Sequence, residues 1–283
     1  MSRRGRGRGR PVPSRFLGVD LAWRGGNPSG VVALAGRVFP LSLSDAGVMP
    51  DHAATLAWIA AQARARRTAV GIDAPLKGLD NPRGRRPCDN LISSDFGRFH
   101  ASTHSLPSAP DLARFTKSLR RRYDRTSLDP HVPPALGRPA IREVYPNALQ
   151  VLLFGLDRRG ATIVPYKRRR FGGRNGPWAS QGLRPFIKRC RQVLEAGYVD
   201  RRAPGWQSLV ALVPQETMPT AELKAIEDRW DAVLCAVAVA LEHLRPGTMR
   251  AYTGAGRAAW RSGYILAPAL PTNGGRIPEK RRA

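Results

Sequence analysis

The stretch Thr220–Leu244 constrains this chain more than any other. Val233, Val237, Leu241 and Leu244 recur at three- to four-residue spacing, and the alanines between them keep a helix slim enough to pack closely. Thr220 follows Pro219 as an N-cap, and Pro246-Gly247 supplies the stop. The helix therefore reads as buried. Asp228 and Asp231 nevertheless share one face, which continues through Cys235 and Ala238. Carboxylates in an apolar setting are costly unless something positive compensates them. One explanation is a metal ion. The other is that both acids lie toward the start of the helix and favour its dipole.

The rest of the chain supplies a sheet for that helix. Residues 1–14 are an Arg/Gly tail of low complexity that reads as disordered, and Arg-Gly repeats can also track a nucleic acid backbone. Phe16–Trp23 is an apolar strand carrying Asp20. Two further short strands, 31–34 and 37–41, complete an antiparallel meander. A helix from Asp51 to about Arg66 leads into a buried strand, 68–75, with Asp73 near its end. A helical crossover of this length places the fourth strand parallel to one of the first three, most simply the first.

Residues 76–139 are rich in Pro, Arg and Ser and read as an insertion, with a helix over 111–123. A fifth strand, 140–145, carries Glu143, and Pro146 opens a helix to about Leu156. A basic segment, 157–180, holds Lys167-Arg168-Arg169-Arg170, and a helix over 182–195 precedes the long one. Two short edge strands follow it, at 250–252 and 263–267, and 269–283 reads as a frayed tail. The expectation is a single α/β domain over 15–268. It has a mixed five-stranded sheet in the order β-β-β-α-β-α-β-α and helices on both faces.

Charge narrows the partners. Lys plus Arg number 47 against 21 Asp plus Glu, a formal +26, and dropping the six arginines of residues 1–15 still leaves about +20. Such an excess in the body of a protein favours polyanions, nucleic acid foremost. No apolar run is long enough for a membrane helix, and no apolar stretch follows the basic N-terminus as a secretory signal requires. Cys88, Cys190 and Cys235 are widely spaced, which suits a reduced cytoplasmic protein and not a structural zinc. His100 and His104 have helical ligand spacing, but Pro107 and Pro110 make an ordinary loop the better expectation.

Taken together, Asp20 and Asp73 on adjacent parallel strands meet Asp228 and Asp231 on a helix packed across them. Four carboxylates at one point repel severely without cations, and hard oxygen donors suit Mg²⁺ or Mn²⁺. The order of strands and acids resembles the RNase H-like superfamily, with Asp-x-x-Asp-Ala on the last helix closest to its RuvC-type branch. More closely, six segments are similar to domain of unknown function 429, a family regarded as RNase H-like nucleases. They are Gly18–Trp23, Gly71–Pro75, Arg86–Asp89, Glu143–Pro146, Tyr166-Lys167 and Glu227–Ala236. The resemblance spans about 16–268.

It implies metal-dependent hydrolysis of phosphodiesters, with Asp20, Asp73, Asp228 and Asp231 as ligands of two Mg²⁺ or Mn²⁺ ions. The departure is Asp73, where the RuvC-type pattern more often has Glu. Glu143 is then a fifth acid, ligand or general base, unless it pairs with an arginine. Arg86 and Lys167 are candidates to hold substrate phosphates, or parts of a solvated basic face. A nucleic-acid-binding module with weak or lost chemistry is the competing expectation. An actin-like kinase is disfavoured because it needs two copies of the core, and one is present.

Overall fold

The computed structural model describes residues 14–63, 67–78, 85–103, 110–124, 126–132, 134–135, 137–156, 160–254 and 259–270. Apart from Ser14, Ala269 and Leu270, both expected tails lie outside them, as does His104.

Alternation along the first strands sets the layers. In β1 (Arg15–Asp20), Leu17 and Val19 face one side of the sheet and Phe16 the other. β2 (Ser29–Ala35) pairs antiparallel with β1, and β3 (Ser42–Met49) pairs antiparallel with β2. α1 (His52–Ala63) then crosses over to β4 (Thr68–Ile72), which lies parallel to β1 as the crossover length predicts. The insertion contributes α2 (Pro87–Phe96) and α3 (Pro110–Arg122) before β5 (Ala140–Glu143) pairs parallel with β4. The result is a mixed sheet of five strands, ordered β3-β2-β1-β4-β5, of the α/β class and consistent with an RNase H-like fold.

The third strand differs from expectation. Residues 37–40 turn instead of pairing, because Pro40 has no N–H for a ladder and Gly36 adopts φ 147°, and Leu41 makes only an isolated parallel bridge to Val199. β3 begins only at Ser42. Its Ser, Asp and Gly residues are weak strand formers, and of its eight residues only Leu43 is fully buried.

After α4 (Pro146–Leu153) the chain makes a short turn, α5 (Asn175–Pro177), and a π-helical stretch over Trp178–Leu183. α6 (Arg184–Glu195) and α7 (Pro204–Val210) follow, and α8 spans Thr220–Leu244. A two-stranded sheet, β6 (Met249–Thr253) with β7 (Tyr264–Pro268), packs on α2 and α4. α1 and α3 cover one face of the main sheet through Ile59, Leu112, Phe115 and Leu119. α8 covers the other, and its apolar face merges with α4, α6 and α7 in the largest core.

Candidate active site

Two Gly-x-Asp segments build the site. Gly18 and Gly71 are register partners in the β1–β4 ladder, and Asp20 and Asp73 follow each by two residues. A Cβ on Gly18 would stand 1.8 Å from the Ala232 carbonyl oxygen, and one on Gly71 would stand 2.4 Å from that of Cys235. No side chain fits, so the backbone of α8 rests directly on the sheet. Alternation turns Asp20 and Asp73 to the same face as the glycines. The close approach therefore lowers Asp228 and Asp231 onto the ends of β1 and β4.

On α8, Lys224, Glu227, Asp228 and Asp231 follow at helical spacing along one side. The Lys224 ammonium lies 2.9 Å from Glu227 Oε1 and 4.0 Å from Asp20 Oδ2, and it also contacts Asp228. The Lys167 ammonium lies 3.0 Å from Glu227 Oε1 and contacts Asp231 Oδ2. The Tyr166 hydroxyl donates to Asp231 Oδ1 at 2.6 Å, and its ring stacks on Phe186 with centroids 3.8 Å apart. Both oxygens of Asp231, which is 0% exposed, are thus engaged within the protein.

Among the described residues, the carboxyls of Asp20, Glu227, Asp228 and Asp231 share two ammonium groups, and a fifth, that of Asp73, stands beside them. The imbalance appears in their protonation. Burial, reinforced by Asp20, pushes Asp228 up to about 9. Burial followed by the field of Asp20 also raises Asp73 well above the ordinary carboxyl range. Asp231 rises to about 6 through burial, even though Lys167 pulls it down. Burial disfavours the charged Lys167, but Asp231 and Glu227 outweigh it and raise its pKa. Asp73 makes no ion pair among the described residues.

Glu143 belongs to a different network. It pairs in register with Ile72 and leaves β5 on the Ile141 side, away from α8. Its carboxylate accepts the Leu76 N–H at 2.9 Å and a two-pronged contact from Arg86, at 2.9 Å from Nη1 and 2.6 Å from Nη2. Arg86 Nε and Nη2 each donate to Asp89 at 2.9 Å, and Nη1 also reaches the Lys77 carbonyl at 3.0 Å. Asp89 in turn caps α2 by accepting the Arg86 backbone N–H at 3.0 Å. All five guanidinium N–H groups of Arg86 are used. The expected phosphate-holding role for Arg86 therefore has no free donor behind it, and Glu143 has the arginine partner weighed as its alternative.

Residues 18–255 match the family described as Protein of unknown function (DUF429). The chain belongs to the DUF429 family. No curated protein and no solved structure matches it. The matched span of this DUF429 protein contains both Gly-x-Asp segments, the Arg86–Glu143 pair, Tyr166-Lys167 and the acids of α8.

Asp20, Asp73, Glu227 and Asp228 of this DUF429 member line a pocket of about 750 Å³, whose walls also include Trp23, Pro28, Glu143, Tyr145, Arg168 and Arg169. An all-oxygen donor set with a surplus of negative charge is chemically suited to Mg²⁺ or Mn²⁺. As they stand, no three His, Cys, Asp or Glu side chains among the described residues are arranged to hold a metal ion, and Lys224 and Lys167 lie between the acids. Lys224, Glu227 and Tyr166 are not among the expected site residues, although Tyr166 and Glu227 lie in two of the segments that carry the family resemblance. For Lys224 the available signal is its spacing from Asp228, four residues along an acidic face.

Cys88, Cys190 and Cys235 are buried free thiols. His100 takes a left-handed conformation (φ 63°) just after a single 3₁₀ turn. Among the described residues, no helix is long and apolar enough to cross a membrane.

Proposed function

We propose that this DUF429 protein is a metal-dependent phosphodiesterase that acts on nucleic acid. The observation that carries the proposal is the surplus of acidic groups, five carboxyls against two ammonium groups among the described residues, in a chain whose overall formal charge is +26. The overall charge attracts a polyanion, and the local acidity asks for a cation at the place where that polyanion is received.

With Lys224 swung aside, Asp20, Asp73 and Asp228 are the residues that would hold a divalent cation. Bound there, it would polarise a phosphoryl oxygen and lower the pKa of water. The remaining groups position and compensate. Lys167 fixes Glu227 and Asp231, Tyr166 orients Asp231 from the other side, and Arg168 and Arg169 add positive charge to the pocket wall. The buried thiols suit a reducing compartment such as the cytoplasm.

A second reading, a binding module without chemistry, draws on Lys224. Its ammonium already supplies a positive charge between Asp20, Glu227 and Asp228. One experiment separates the two. Single-stranded, duplex and branched substrates are incubated with the protein in Mg²⁺, Mn²⁺ or EDTA. Metal-dependent cleavage that Asp20→Asn abolishes supports the phosphodiesterase. Retention of the substrates without any cleavage supports the module.

A further inference from the structure

Resting on that reading, we infer that the pocket takes a single strand of nucleic acid and that Trp23 is the platform on which one of its bases stacks. Two independent observations carry this. The first is depth. Asp228, which lines the pocket, is only 3% exposed, so a phosphate that reaches it must descend into the pocket. The volume of about 750 Å³ suits one nucleotide-sized unit. A duplex is a stiff cylinder whose phosphates cannot enter such a recess without the whole double strand following. A single strand can bend one phosphate inward and turn its base aside.

The second observation is Trp23 itself. It is exposed, at 40%, whereas Trp178, Trp206 and Trp230 are fully buried. It lines the same pocket, three residues beyond Asp20, and its neighbour Ala22 is held from both sides. The Ala22 N–H donates to Ser29 Oγ at 3.1 Å, and the Ala22 carbonyl lies 2.7 Å from His52 Nε2. An indole left in water on a fixed segment, beside Leu21, Pro28 and Pro75 in the pocket wall, is a flat surface against which no described ring is stacked. Arg168 and Arg169 line the pocket too and are exposed, which places positive charge where the flanking phosphates of the strand would run. Base on indole and backbone on arginine is the way proteins hold single strands without reading their sequence.

The test is equilibrium binding of the full chain to a labelled single-stranded oligonucleotide and to a blunt duplex of the same length. It is done in EDTA so that no strand is cut, across a series of salt concentrations. Trp23→Ala should weaken single-strand binding roughly five- to a hundredfold. Duplex binding and the slope of log affinity against log salt should not change, since no phosphate contact is removed. Trp23→Phe should recover most of the loss. Unchanged single-strand binding by Trp23→Ala, or an equal loss on the duplex, overturns the subsite while leaving nucleic acid as the partner. A parent protein that binds neither ligand removes the nucleic-acid partner and the subsite together.

Discussion

Gly18 and Gly71 lie opposite each other in the β1–β4 ladder, and each is pressed against a backbone carbonyl of α8, those of Ala232 and Cys235. The absence of two side chains sets the distance between sheet and helix, and that distance brings the acids together. Gly18→Ala should therefore damage more than one strand residue. Its Cβ would stand 1.8 Å from a backbone oxygen, so α8 must lift. The expected loss is about 3 kcal/mol, the upper end for overpacking, measured by urea unfolding. Gly47→Ala is the control. Its Cβ would meet nothing closer than 3.7 Å, and its stability should stay near that of the parent.

The Arg86–Glu143 pair predicts a stability effect and not a loss of substrate affinity. Both side chains are buried, and removing Arg86 leaves Glu143 without its counter-charge, whereas Arg86 keeps Asp89 when Glu143 is removed. Arg86→Met should cost roughly 3–5 kcal/mol, because Glu143 and Asp89 would remain as uncompensated carboxylates. Glu143→Gln keeps the acceptor for the Leu76 N–H and should cost less. If Arg86 held substrate instead, Arg86→Met would unfold at the parent's urea midpoint and show its defect only in substrate binding.

These two cases also show what the sequence could and could not reveal. Helical spacing placed α3 and α8 to within a residue at each end, and the apolar runs located β1 and β4 but extended each three residues too far. The same patterns put Asp20, Asp73, Asp228 and Asp231 at one place. β3 was misplaced because its pairing depends on its neighbour β2 and not on its own polar residues. Partners that are distant in sequence were the least legible. Arg86 and Glu143 are 57 residues apart, and Lys167 and Asp231 are 64 apart. Nothing local in a chain with 47 basic residues marks which of them will be buried against an acid.

The protonation of Asp228 gives a pH dependence with a definite sign. Its pKa rises from 3.8 to about 9 on folding, through burial and the nearby Asp20. The folded state then binds the proton more tightly than the unfolded state. The stability from this group is full below about pH 4 and is lost as pH climbs toward 9. Metal-free parent protein should lose stability over that window more steeply than Asp228→Asn, which has no proton to give up. Urea midpoints at pH 5, 7 and 8.5 in EDTA check this. Parallel pH profiles for the two proteins would mean that Asp228 stays ionised in the fold.

The last prediction concerns which acids answer to a divalent cation. Asp231 already has Tyr166 on one oxygen and Lys167 on the other, whereas Asp20 and Asp228 share Lys224, whose side chain is 50% exposed and attached at the start of α8. A cation drawn to unmet charge should therefore settle on the Asp20–Asp73–Asp228 side and displace Lys224. Replacing that lysine with methionine removes the competitor. Metal-free Lys224→Met should melt lower than the parent, because Asp20 and Glu227 lose a counter-charge, yet Mn²⁺ should raise its Tm by more, through tighter binding to the folded state. Asp20→Asn and Asp228→Asn should lose most of the Mn²⁺ response. Asp231→Asn should keep it, while costing about 1–3 kcal/mol in metal-free stability for the disturbed hydrogen bonds of Tyr166 and Lys167. Thermal melts of the five proteins, with Mn²⁺ and with EDTA, read out all of these without any cleavage assay. If Asp231→Asn alone lost the response, the cation would belong on the Lys167 side of the cluster, and Asp231 would be a metal ligand as the helix pattern first suggested.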